Sequence, residues 1–145
     1  MEMSTVENEA LVSRVYLQAL EDRKEGRTLA AADLMVYHVE MLSQEVNGGA
    51  SFEQYFRWAS VEEISESVGR LESLGLSEVA SIVRRAIDAA FPGGVPATDE
   101  AKSEQIEWTD EQQELLSAAA GELEAFNGRM INVLAAFYRA SGPRA

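Results

Sequence analysis

The sequence contains no cysteine, which excludes disulfides and thiolate metal sites. Its single histidine, His38, lacks the Glu-x-x-His partner of a bundle metal site, because position 35 is Met35. Long apolar runs are missing too. The longest candidate, Met130 to Ala140, is interrupted by Asn132 and Arg139 and falls far short of the ~18 residues of a membrane span. Met1-Glu2-Met3-Ser4-Thr5 has neither the basic nor the apolar region of a secretory signal, so a reducing, cytoplasmic setting is expected. Catalytic signatures are equally scarce. There is no nucleophile elbow, and Gly93-Gly94-Val95-Pro96 lacks the lysine and hydroxyl residue of a phosphate loop. Asp99 is followed by Ala101 and Ser103, without the glycine of a calcium loop. The expectation is no enzyme, no cofactor and no metal.

Bases are few. Twelve Lys and Arg face twenty-five Asp and Glu in 145 residues, a net charge of −13. Such a balance disfavours direct nucleic-acid binding, which needs a basic surface to release counterions, and disfavours anionic membranes. A basic protein surface is the natural complement, although acidity also serves plain solubility. What remains is globular in composition: 46% hydrophobic and 26% charged. The length suits one domain, 1–145, able to bury roughly 70% of its unfolded surface.

Helix starts and stops are legible. Ser4 with Glu7, Ser51 with Gln54, Ser60 with Glu63 and Thr109 with Gln112 have capping-box spacing, and Thr28 is a further N-cap candidate. Gly26, Gly48-Gly49, Gly75, Pro92-Gly93-Gly94 and Gly142-Pro143 read as stops. Between them apolar residues step by three and four, as in Val61, Ile64, Val68, Leu71 and Leu74. The spacing predicts helices at 5–24, 29–46, 51–58, 61–74, 78–91, 109–125 and 129–140. No period-two strand is evident. The class is therefore all-α, a single compact domain of six or seven helices, with 92–108 as a candidate mobile loop.

Residues 35–91 carry a more specific pattern. Met35-Val36-Tyr37-His38-Val39-Glu40-Met41-Leu42 leads to Glu45-Val46-Asn47-Gly48-Gly49 and then Phe52-Glu53-Gln54-Tyr55-Phe56. Leu71-Glu72-Ser73-Leu74-Gly75 and Ala86-Ile87-Asp88-Ala89-Ala90-Phe91 follow. This arrangement resembles the bacterial DNA-mimic protein family. Two departures stand out: Ala50-Ser51 intervene before Phe52, and Arg57-Trp58 replace the usual asparagine. The resemblance implies an all-helical fold, homodimers, no known catalysis, and acidic surfaces that occupy DNA-binding faces of other proteins.

The acids themselves are concentrated. Asp99 to Glu124 holds nine of them and one base, Lys102, contributing −8. The candidate partner-binding face comprises Glu62, Glu63, Glu66, Asp99, Glu100, Glu104, Glu107, Asp110, Glu111 and Glu114. Asp110, Glu111 and Glu114 also suit the positive end of a helix dipole, a purely structural reason for their presence. Glu107-Glu111 and Asp110-Glu114 would be repulsive (i, i+4) pairs if helical. Stacked helical carboxylates lie ~5–6 Å apart at their Cβ atoms, on the scale of successive DNA phosphates. Asn47, Gly48 and Gly49 read as a structural turn, with a backbone anion nest as the alternative. Phe52, Tyr55, Phe56 and Trp58 read as core, with a binding cage as the alternative. Trp108 stands where a hydrophobic staple would. The favoured reading is an acidic protein–protein interaction module that mimics DNA. The alternatives are an immunity or adaptor protein that neutralises a toxin, and a ligand binder or hydrolase built around Tyr37, His38 and Tyr55.

Overall fold

Capping chemistry sets several helix boundaries. A computed structural model describes residues 5–141, and among these it has eight helices and no strand: α1 (Thr5–Lys24), α2 (Ala31–Gly49), α3 (Glu53–Trp58), α4 (Val61–Ser73), α5 (Ser77–Ala90), α6 (Asp99–Ser103), α7 (Asp110–Glu124) and α8 (Asn127–Ser141). Seven match the expected segments. The eighth, α6, lies inside 92–108, so the expected count of six or seven is too low. Its cause is local: the Thr98 hydroxyl accepts from Ala101 N at 3.1 Å, while Asp99 and Glu100 occupy the first turn.

Other caps fall as expected or nearby, except that Thr28, expected as an N-cap, stands two residues before Ala30, which precedes α2. Thr109 and Gln112 form the full reciprocal box, and Ser60 Oγ accepts from Glu63 N at 3.1 Å. The Ser51–Gln54 box does not form. Helix α3 starts later, after Phe52, and Ser51 Oγ instead accepts from Glu53 N at 3.2 Å. The Ser4–Glu7 box and the Gly142-Pro143 stop involve residues outside the described ones.

Three helix ends close by the same paired bonds, one spanning six residues and one nested inside it. After α1, Arg27 N donates to Asp22 O and Gly26 N to Arg23 O, with Gly26 at φ +74°. After α4, Leu76 N donates to Leu71 O and Gly75 N to Glu72 O, with Gly75 at φ +77°. After α2, Ser51 N donates to Val46 O and Ala50 N to Asn47 O. Here the left-handed residue is Ala50, at φ 52°. Asn47, Gly48 and Gly49, expected as the turn, therefore form the last turn of α2 instead. Gly49 matters for space: an added Cβ would lie 3.3 Å from Gln54 Oε1 and 3.4 Å from Gln54 Cβ.

The chain groups into two compact units, residues up to Met41 with those from Asn127 onward, and Leu42–Phe126. In the first, α1 packs against α8. Asn8, buried at this contact, donates to Asn132 Oδ1 at 2.8 Å and accepts from Arg139 Nη1 at 2.7 Å. Tyr16, Ala19 and Tyr37 form a small core with Leu20, Leu29 and Met41, the two phenol rings stacked at 5.8 Å. In the second unit, α5 packs against both α4 and α7. An aromatic row runs from Phe52 to Phe56 (5.5 Å), Phe91 (5.4 Å) and Trp108 (6.5 Å). Such ring pairs each add about 0.5–1.5 kcal/mol beyond area burial.

Candidate functional site

Charge divides unequally between the units. Leu42–Phe126 carries seventeen acids and five bases, a net −12. The remaining residues carry eight acids and seven bases, a net −1. Nearly all the protein's excess charge thus belongs to the second unit.

Within that unit a single turn, Arg57 to Val61, gathers several acidic segments. Lys102 of α6 is buried, and its Nζ donates to Arg57 O at 3.0 Å and to Ala59 O at 2.5 Å. These carbonyls end α3, where a cation meets the negative end of the helix dipole. Burial holds the Lys102 ammonium below the ordinary lysine range, and Asp99 partly restores it. One turn earlier, Asp99 Oδ1 accepts from Val61 N at 2.8 Å, at the start of α4. The Arg57 guanidinium lies 5.5 Å from the Trp108 ring centroid. Trp108 Nε1 donates to Ala90 O at 3.1 Å, and Gln112 Nε2 to Ala89 O at 3.0 Å. These bonds fix the start of α7 to the end of α5. Trp108, just before the N-cap Thr109 as expected, therefore also locks a neighbouring helix end.

The ten expected acids play different parts. Glu62, Glu100, Glu104, Glu107, Asp110, Glu111 and Glu114 are exposed, and none forms an ion pair among the described residues. Asp99, also exposed, has the structural job just described. Glu66 pairs with Arg70 at 2.7 Å, one turn on. Glu63 is half-buried rather than aligned with Glu62 on an outer face. It lies near enough to Tyr55 to add to the upward push that burial gives that phenol. Of the two expected repulsive pairs, only Asp110–Glu114 lies within α7, because Glu107 precedes the helix. Asp99 and α6 bring Glu100 and Glu104 to the turn that leads into Glu62. Glu107, Asp110 and Glu111 flank Trp108 and its cap.

The unit's remaining arginines are occupied elsewhere. Arg84 pairs with Glu72 at 3.0 Å. Arg85 grips both oxygens of Glu122, at 3.1 and 2.8 Å, and holds that carboxyl below the ordinary range. Glu66, Glu72 and Glu122 are thus paired with arginines. The aromatic segment also divides: Phe52, Tyr55 and Phe56 are core, whereas Trp58, expected with them, is 74% exposed. Sequence reasoning missed the clamp by Lys102, since a buried lysine leaves no pattern along the chain. Thr98-Asp99-Glu100, a cap followed by two acids, was the one signal available for α6.

The first unit holds a cavity of about 320 Å³ lined by Arg14, Val15, Gln18, Ala19, Asp22, Asp33 and Tyr138. Burial and a bond to Asp33 raise the Tyr138 phenol. Neither Tyr37 nor His38 lines it. Tyr37 is buried, stacked on Tyr16 and edge-on to His38 at 5.2 Å. No cluster of three or more His, Asp or Glu able to hold a metal occurs among the described residues. None of the helices described there is long and apolar enough to cross a membrane.

A family model described as DMP19-like protein matches residues 27–141. This agrees with the DNA-mimic resemblance carried by residues 35–91. No curated protein and no solved structure matches the chain.

Proposed function

The chain belongs to the DMP19-like protein family, and from that membership we propose that it is a cytoplasmic protein-binding module whose acidic face enters a groove built for DNA. One observation carries the reading: the second unit holds −12 of the net charge, with seven exposed carboxylates outside any described ion pair. An array of that kind steers a basic partner over the range of the Debye length. Asp110 and Glu114, one turn apart on α7, offer the partner's lysines and arginines carboxylates on the scale of successive phosphates. The partner is a basic protein surface, and neither nucleic acid nor membrane is bound directly.

The test is affinity capture from the native host with elution by a salt gradient, followed by competition. The partner is expected to elute as salt rises and to be displaced by duplex DNA. A partner that stays bound at ~0.5 M salt, where exposed charges act over only a few Å, and ignores duplex DNA removes the reading.

A further inference from the structure

Trp58 presents 74% of its surface to solvent, although the aromatics before it on α3 are core. The Arg57 guanidinium lies over Trp108, and no cation is stacked on Trp58 among the described residues. Its main chain is held on both sides, because Lys102 Nζ takes the carbonyls of Arg57 and Ala59. An apolar ring on a braced backbone loses little freedom on binding, which suits an interface anchor. The carboxylates of Asp99, Glu100 and Glu104 sit on or beside the helix that supplies Lys102, and Glu62 follows the Val61 amide that Asp99 holds. The turn that carries the ring is therefore joined to a segment rich in acidic residues.

Building on the protein-binding reading above, we propose that Trp58 anchors an arginine-rich surface of the partner protein. A guanidinium stacks on the indole while the neighbouring carboxylates accept its N–H bonds. Arginine fits this better than lysine, because its planar head is weakly hydrated and can stack and donate at the same time. A small ligand fits less well, since the ring stands on an open surface rather than in an enclosed pocket.

The test compares fluorescently labelled deca-arginine and deca-lysine peptides on the full chain at low salt. Trp58→Ala is expected to weaken deca-arginine about two- to five-fold and to leave deca-lysine nearly unchanged. Trp58→Phe should fall between wild type and Trp58→Ala. Circular dichroism of both variants should match wild type, given the exposure of the side chain. Equal loss for both peptides, or no loss for either, overturns the role of Trp58 and leaves the acidic-face reading standing. Failure of the wild-type chain to bind either peptide overturns that reading itself.

Discussion

Asp99 and Lys102 lie one turn apart on α6 and serve opposite ends of two different helices: the carboxylate accepts from Val61 N, the first amide of α4, and the ammonium caps the carbonyls that end α3. Each side chain has the sign that its helix end favours. A five-residue helix thereby fixes the α3–α4 turn.

Removing the ammonium should be costly. Lys102→Met leaves the carbonyls of Arg57 and Ala59 without their buried donor, a loss of about 1–3 kcal/mol. Urea unfolding checks it. The alkaline behaviour is diagnostic as well. Folding lowers the Lys102 pKa, so between that value and the ordinary ~10.4 the unfolded chain binds more protons. This lysine's contribution to stability therefore rises with pH through that window. The difference between wild type and Lys102→Met should show that slope.

Ala50→Gly should stabilise the protein. Alanine occupies the left-handed position that Gly26 and Gly75 fill at the two matching helix ends. Relief of the steric cost, less the greater freedom of glycine in the unfolded chain, leaves about 0.5–1 kcal/mol. A higher urea midpoint with an unchanged m-value checks it. A lower midpoint would show that Ala50 is not strained.

The Arg85–Glu122 pair should matter little. Both side chains are exposed, with relative accessibilities of 56% and 49%. Glu122→Gln should lower Tm marginally, and less in high salt. Because the folded pKa of Glu122 is lowered, the pair contributes above the ordinary carboxylate range, and that contribution is lost as pH falls through the folded value. Thermal melts at neutral and acid pH, at two salt concentrations, check both statements.

Combined Glu104→Gln and Glu107→Gln should leave Tm unchanged or slightly raised, since these carboxylates make no ion pair among the described residues and lie in a strongly acidic segment. Under the proposed function the same variant binds its partner more weakly, with a shallower dependence on salt. Melts and a salt titration separate the two effects.

Much of the fold was legible because caps are local. Thr109 with Gln112, and Gly26 and Gly75 at helix ends, carry their meaning within a few residues. Helix α6 escaped because five residues show no periodicity. The acidic positions could be read too, but their fates could not. Glu66 and Glu122 are neutralised by arginines at very different separations, and Lys102 turns inward to carbonyls 45 and 43 residues away. Trp58 was readable in hindsight: two residues past Phe56 on a helix, it points away from the face that Phe56 buries.

The contrast between the protein's two indoles, Trp58 in solvent and Trp108 buried and hydrogen-bonded, makes the chain its own optical reporter. Collisional quenchers should reach only the first, and the surrounding negative field should admit caesium more readily than iodide. Ligands arriving at the acidic surface can thus be followed by intrinsic emission, with no label attached.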